Sequence, residues 1–137
     1  MSEIVKTASR LLSPLVFVFG TYVSIHGHLT PGGGFAGGVM LAGSIVLSIL
    51  AYGGETLKLS RGKERASASE SLGLLLFWFV GILGLLLSGI YFLNFLGKGS
   101  LFSIFSAGII PLCNLAIAAE VCGAIVVILL ALILFER

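Results

Sequence analysis

Residues 112–135 read LCNLAIAAEVCGAIVVILLALILF, an apolar run broken only by Asn114 and Glu120. Its length suits one helical crossing of a bilayer, which needs about 20 mostly apolar residues. A carboxylate at membrane depth costs at least ~2.5 kcal/mol and usually faces protein or a water-filled cavity. The run therefore predicts a membrane helix, and Glu120 marks a candidate ion or proton pathway.

The composition of the whole chain indicates the same class. The chain has 137 residues, of which 58% are hydrophobic and 10% are charged, and its mean hydropathy is +1.16. Soluble domains carry about 25% charged residues. The apolar runs are continuous and favour helices, because a membrane barrel needs short alternating segments. We predict an all-α integral membrane protein in contact with the lipid bilayer, and the small net charge of +2 implies no nucleic-acid partner.

Four apolar segments predict four transmembrane helices in one domain that covers residues 1–137. The spans are about 11–26, 35–52, 72–96 and 112–135. A basic stretch, 55–71, is predicted to form a loop on the same side as both termini. That side carries seven of the eight Lys and Arg residues. The positive-inside rule therefore predicts cytoplasmic termini for a multi-pass protein of the cell (cytoplasmic) membrane.

The first apolar run and the two outer connections need separate interpretation. No small-residue cleavage site follows the first apolar run, so we expect that run to be retained rather than removed as a signal peptide. The outer connections are predicted at 26–34 and 97–110. Residues 101–110 are apolar but too short to span, which favours an interfacial helix or a re-entrant segment.

Small residues recur on one side of three predicted spans. Such stripes allow helices to approach closely in lipid. They could serve packing within this four-helix unit or docking on helices of other subunits. The stripes are Gly34, Gly38 and Ala42; Gly81, Gly84 and Ser88; and Ala116 and Ala124, which share their side of the last span with Glu120 and have Gly123 adjacent.

The most distinctive string is HGHLTPGGGFAGG, residues 26–38. It formally matches a dinucleotide-binding glycine pattern, but that fingerprint needs a preceding strand, and here a membrane span precedes. The proline and glycines instead predict a tight turn followed by a bare helix surface for a neighbour. The residues assigned to this turn and packing segment are Pro31, Gly32, Gly33, Gly34, Phe35, Gly37 and Gly38.

Four polar residues are candidates for an ion pathway, namely Glu120, His26, His28 and Asn114. The histidines could relay protons, because imidazole titrates near neutral pH, or they could simply bond to loop backbone. Glu120 lies roughly 12 Å inside its span, and its carboxyl group could be protonated, hydrated, hydrogen-bonded within the bundle or paired with another subunit. Asn114 could cap the last span or bond across helices.

The sequence offers no catalytic constellation. Asp is absent from the chain, no nucleophile–base pair is apparent, and two histidines without further ligands do not make a metal site. We therefore expect no enzyme activity of the chain itself, no cofactor and no metal.

These residues together resemble the B subunit of the Mrp-type multisubunit Na+/H+ antiporters. The resemblance rests on four spans, on the string PGGGFAGG after His-Gly-His, and on Ile110-Pro111-Leu112-Cys113-Asn114 leading to Glu120-Val121. It implies an accessory subunit alongside large antiporter-like subunits, in a module that exchanges Na+ for H+. Similar subunits occur in membrane-bound hydrogenases and related ferredoxin-linked respiratory complexes.

Three hypotheses for the function follow. In the first, the chain belongs to a sodium/proton antiport module, free-standing or within a respiratory complex of the hydrogenase type, with other integral membrane subunits as partners. In the second, it is a structural scaffold that transports nothing. The third, a stand-alone transporter, is disfavoured because four spans without an internal repeat make a poor transporter.

Overall fold

Four α-helices make up the fold. The computed structural model describes residues 2–53, 59–96, 99 and 107–135, and within these residues no strand occurs. Each helix is long and apolar enough to cross a membrane, as the sequence predicts. The helices are α1 (Glu3–His26), α2 (Gly34–Tyr52), α3 (Leu59–Ser88) and α4 (Ile110–Phe135).

The helices pack in the spatial order α1, α2, α4, α3. The Ser13 hydroxyl on α1 contacts the Ser44 hydroxyl on α2, and Gly20 lies against Gly37, so these helices are antiparallel. α2 and α4 run parallel, since Gly34 lies against Asn114. α3 returns antiparallel to α4. The start of α1, the end of α2, the start of α3 and the end of α4 therefore lie at one end of the bundle. The turn between α1 and α2 lies at the other end, here called the turn end.

Glycines bring α2 close to both of its neighbours. A Cβ atom added at Gly37 would overlap the Ser24 hydroxyl on α1, and one at Gly38 would lie 2.8 Å from the Ala118 carbonyl oxygen on α4. Gly34 meets the Asn114 carbonyl in the same way. Side chains larger than hydrogen would push the helices apart, and close approach is a main source of helix association in lipid. The neighbours of this glycine segment are thus helices of the same chain.

Buried serine hydroxyls make the α1–α2 contact partly polar. The Ser13 hydroxyl donates to the Ser44 carbonyl oxygen at 2.8 Å and lies 2.8 Å from the Ser48 hydroxyl. Ser9 and Ser24 are also buried on α1. Hydroxyls can bond across helices at membrane depth, where water cannot compete. The apolar core lies elsewhere, between α2, α3 and α4, and comprises Ala42, Ile49, Ala66, Val126 and Leu130.

The third helix ends earlier than the predicted span 72–96. α3 stops at Ser88, and Gly89 adopts a φ of 73°, which side chains other than hydrogen resist. The chain then folds back on the helix, where Tyr91 lies against Gly81 and Leu93 against Gly84. The prediction of a helix to residue 96 is therefore wrong. This small-residue stripe receives the chain's own return segment and not another helix.

The third helix also begins earlier than predicted. The described part of the stretch 55–71, from Leu59 onward, is helical, so the prediction of a loop is wrong there; residues 54–58 lie outside the described residues. Helix formers such as Lys, Glu, Arg and Ala fill this stretch, and Ala66 is buried in the core. Polarity indicated a loop, but packing against α4 makes the stretch helical.

The start of α1 also differs from the prediction, whereas the start of α4 shifts by only two residues. α1 starts at Glu3 and not near residue 11, so Pro14 lies inside the helix. α4 starts at Ile110, with Pro111 in its first turn, where a missing N–H costs little. Of the segment 101–110, residues 101–106 lie outside the described residues. Residues 107–109 form a turn that Asn94 holds, because its Oδ1 accepts from the Ile109 amide at 3.1 Å.

Candidate functional site

The turn end gathers three of the predicted pathway residues. Gly32 and Gly33 have φ values of 151° and 120°, which let the chain reverse between α1 and α2. The Asn114 side chain lies in the concavity that this turn forms, since a Cβ at Gly27 would come within 3.0 Å of its amide nitrogen. His26 stacks on Tyr22 with ring centroids 4.2 Å apart. His28 follows in the turn and is half-buried.

Glu120 lies on a different flank of α4. It is six residues after Asn114, which rotates it about 120° around the helix. Asn114 faces α2, whereas Glu120 faces α3, where a Cβ at Gly73 would lie 2.7 Å from the Glu120 amide nitrogen and 3.0 Å from its Cβ. The structure therefore does not bring Glu120 together with His26, His28 and Asn114 in one cluster.

A second carboxylate, Glu70, lies beside Glu120. A Cβ at Gly123 on α4 would lie 2.7 Å from the Glu70 amide nitrogen and 3.1 Å from its Cα. Each glutamate thus occupies the gap that a glycine of the opposite helix leaves. Glu70 and Glu120 are each half-buried. The two residues lie at nearly the same level along the axis, because Ser69, next to Glu70, bonds to Ala119, next to Glu120.

A hydrogen bond determines the side on which both carboxylates emerge. The Ser69 hydroxyl donates to the Ala119 carbonyl oxygen at 3.1 Å on one side of the α3–α4 contact. Glu70 and Glu120 each follow by one residue, a rotation of about 100°. In antiparallel helices these rotations have opposite sense, so both side chains cross to the same, opposite side. We call this surface of Glu70 and Glu120 the acidic seam.

The acidic seam lies within the length of helix α2. α2 has 19 uncharged residues, about 28 Å of helix, which matches the ~30 Å hydrocarbon layer. Gly38 of α2 contacts Ala118 and Val121, so Glu120 lies about 6 Å inside the turn end of α2. Glu70 lies at nearly the same level, as the bond between its neighbour Ser69 and Ala119 requires. Within the described residues, neither carboxylate makes a hydrogen bond or an ion pair; the ion pair found there joins Lys6 to Glu3 at 3.0 Å.

Sequence reasoning missed Glu70 because it lies in a stretch rich in charge. One signal could have revealed it: Glu-x-x-Gly occurs twice, as ESLG at 70–73 and EVCG at 120–123. Two such motifs on antiparallel helices can pack reciprocally. In the described part of the chain, no group of three or more His, Cys, Asp and Glu residues could hold a metal ion.

The fold and this site define a helical membrane protein with four spans and a pair of carboxylates on one helix–helix contact. A family model described as "Domain related to MnhB subunit of Na+/H+ antiporter" matches residues 4–127. The chain belongs to this family. MnhB subunits are components of ion transporters, as the sequence resemblance indicated.

Two individual proteins are similar to this chain in sequence. An uncharacterized protein of Methanocaldococcus jannaschii is 33% identical over 127 residues, covering 88% of this chain and 48% of that protein. The B subunit of a Na(+)/H(+) antiporter of Bacillus subtilis is 44% identical over 55 residues, covering 40% of this chain and 38% of that relative. The chain therefore spans less than half the length of these curated relatives.

A solved structure shares the fold. A chain of the membrane-bound sulfane sulfur reductase, an archaeal respiratory membrane complex, superposes with a TM-score of 0.77 at 35% identity. The match covers 93% of this chain and 56% of that one. The same four-helix arrangement thus occurs in a component of a multisubunit membrane complex.

Proposed function

We propose that this chain is an accessory subunit of a sodium/proton antiport module in the cell (cytoplasmic) membrane, with both termini cytoplasmic. Its partners are other integral membrane subunits, and Na+ and H+ are the transported ions. The chain itself catalyses no reaction. Membership of the MnhB-related family and seven of eight Lys and Arg residues on one predicted side support this proposal.

The observation that carries an ion-related role is the position of Glu120. Its carboxyl group lies within the length of the uncharged helix α2 and has no hydrogen bond or ion pair among the described residues. Ionisable groups at this depth usually mark ion or proton pathways. Glu120 therefore lines a polar path at a subunit interface. His26, His28 and Asn114 lie separately at the turn end, and we propose them as candidates for a polar path at that end of the bundle.

The test replaces Glu120 by Gln in cells that express the whole set of subunits. Gln keeps the size and loses the charge, so we expect Na+-dependent proton movement in membrane vesicles to fall at least tenfold while the complex still assembles. Glu64→Gln is the matched control, because Glu64 is an exposed residue of the same helix pair. Full transport in an assembled Glu120→Gln complex would leave a scaffold role as the better description.

A second setting is favoured by the superposition on the respiratory complex, which has a TM-score of 0.77. In that setting the same antiport module is driven by a redox unit of the hydrogenase or ferredoxin-linked type. The membrane proteins that co-purify with the chain separate the two settings. Redox subunits with metal centres would indicate the respiratory complex, and an antiporter-only set would indicate the free-standing module.

A further inference from the structure

An open groove runs between α1 and α2 at the end of the bundle opposite the turn end. On α1 its wall changes from polar to apolar toward the middle of the bundle. The wall residues are adjacent or three to four positions apart, so they share one helix face. Ser44, Ser48 and Tyr52 of α2 form the facing wall, and we call this surface the serine groove. In chain order, its α1 residues are Ser9, Arg10, Ser13, Pro14, Phe17 and Val18.

The Ser9 hydroxyl is a buried polar group without a partner in the described part of the chain. The residue is only 2% exposed, and it lines the groove. One turn later, the Ser13 hydroxyl lies 2.8 Å from the Ser48 hydroxyl. The Ser9 side chain, in contrast, makes no hydrogen bond among the described residues. Because a buried hydroxyl left unbonded is costly, Ser9 indicates a polar ligand in the groove.

Arg10 supplies a positive charge at the edge of the serine groove. Its side chain is exposed, and within the described residues it forms no ion pair; the ion pair found there joins Lys6 to Glu3. Pro14 lies one turn later within α1 and has no N–H, so the Arg10 carbonyl oxygen lacks its usual helical donor. The groove thus offers a guanidinium and a hydroxyl as donors beside a carbonyl acceptor. An anionic group that also carries hydroxyls matches this set.

The polar part of the groove lies near the end of α2, where a membrane-spanning helix meets the lipid headgroups. Ser13 contacts Ser48, one turn before α2 ends at Tyr52. The Tyr52 hydroxyl donates to the Lys6 carbonyl oxygen at 3.4 Å. Arg10 lies between Lys6 and Ser13, so it is one turn, or ~6 Å, from the end of α2. A long Arg side chain reaches the headgroups from such a position while its stem stays in apolar surroundings.

A phospholipid presents its groups in the same order as the groove. The phosphate would meet Arg10 and Ser9, where charge-assisted hydrogen bonds form. An acyl chain would then extend along Phe17 and Val18, which are 47% and 67% exposed. A bare cation does not fit, because Arg10 would repel it. A helix of another subunit would have to bring a carboxylate to the level of Arg10, whereas a phospholipid carries its anion at that level already.

We propose that the serine groove binds one anionic phospholipid of the phosphatidylglycerol class. Its phosphate accepts from the Arg10 guanidinium and the Ser9 hydroxyl, and a headgroup hydroxyl donates to the Arg10 carbonyl oxygen. One acyl chain covers Pro14, Phe17 and Val18. This binding goes beyond the antiport role and does not depend on it, since it requires only that the helices cross a membrane.

The experiment uses the complex purified from cells that express all subunits, in nanodiscs of phosphatidylcholine. A small fraction of the lipid is phosphatidylglycerol with a photoactivatable diazirine in its acyl chain. After irradiation, mass spectrometry should find the label on residues 14–18 of α1. Arg10→Gln should lower this label about tenfold and Ser9→Ala about fivefold, as expected for losing a charge-assisted and a neutral hydrogen bond.

Matched variants show whether the charge itself matters. Arg10→Lys keeps the charge and should retain most of the label. Arg65→Gln removes the same kind of charge from an exposed position on α3, which lies beyond α2 and α4 from the groove, and should leave the label on α1 unchanged. Unlabelled phosphatidylglycerol should compete with the probe, whereas inorganic phosphate should not.

Three results would overturn the lipid site. Equal labelling of wild type and Arg10→Gln would mean that the lipid at α1 is not held by its headgroup. Competition by inorganic phosphate as strong as that by phosphatidylglycerol would mean that the groove takes phosphate alone. Residues 14–18 left unlabelled in the wild-type complex would mean that another subunit covers the groove. Each of these results leaves the antiport proposal standing, because that proposal is tested by ion transport in the Glu120→Gln complex.

Discussion

Gly38 on α2 and Ala118 on α4 approach so closely that a Cβ atom at position 38 would lie 2.8 Å from the Ala118 carbonyl oxygen. The contact is between backbones, which cannot rotate away as a side chain can. It sets the distance between α2 and α4 at this level. The first prediction concerns this contact.

Replacing Gly38 by Ala should destabilise the protein by about 1–3 kcal/mol, the usual cost of overpacking. Gly43 lies in the same helix with nothing within 4 Å of an added Cβ. Gly43→Ala is thus a matched control that should be neutral or stabilising by up to ~1 kcal/mol, because Ala is the better helix former. Thermal unfolding in detergent measures both. Equal melting temperatures for the two variants would contradict the tight α2–α4 contact.

The buried serines predict a modest polar contribution to the α1–α2 contact. Ser13→Ala removes a hydroxyl that contacts Ser44 and Ser48, and we expect a loss of about 0.6–1.7 kcal/mol, the range for hydrogen bonds between membrane helices. Among the described residues, the Ser88 hydroxyl bonds only to the Gly84 carbonyl oxygen of its own helix. Ser88→Ala should therefore cost less, and a larger effect at Ser88 than at Ser13 would argue against the interhelical bond.

The turn between α1 and α2 depends on a backbone conformation more than on space. Gly33 has a φ of 120°. The nearest atom to a Cβ added at this residue is the Asn114 Oδ1, which is 4.0 Å away. Gly33→Ala should therefore cost about 1–3 kcal/mol through backbone strain alone. Unfolding experiments on Gly33→Ala and Gly43→Ala would measure this difference. A Gly33→Ala protein as stable as wild type would show that the turn does not need this conformation.

The hydrogen bonds of the Asn94 side chain should protect the backbone just before α4 from hydrogen exchange. Its Oδ1 accepts from the Ile109 amide at 3.1 Å, and its Nδ2 donates to the Ala107 carbonyl at 3.4 Å. Asn94→Ala should speed hydrogen exchange at the Ile109 amide roughly tenfold, the equivalent of one ordinary hydrogen bond. Asn94→Asp keeps the acceptor oxygen and should preserve protection of that amide. Fast exchange in both variants would mean that the bond does not protect Ile109.

Several features could be predicted from the sequence for local reasons. Continuous apolar runs indicated four membrane helices, and the His-Gly-His and glycine string indicated a tight turn followed by a bare helix face. The same pattern resembled the B subunit of the multisubunit antiporters, and the family match bears this out. Helix ends were less predictable. The boundary at Ser88 depends on Gly89 and on a return segment that lies against Gly81 and Gly84. A hydropathy profile does not show such contacts.

By itself, the sequence determined the class of protein and the number of helices, because both follow from side-chain polarity along single segments. Only the tertiary structure placed Glu70 beside Glu120. Its neighbours in sequence are polar, so composition assigned it to a loop. The reciprocal contacts of Glu70 with Gly123 and of Glu120 with Gly73 determine how α3 aligns with α4. Depth in a helical membrane protein depends on such contacts between helices, and these join residues about 50 positions apart.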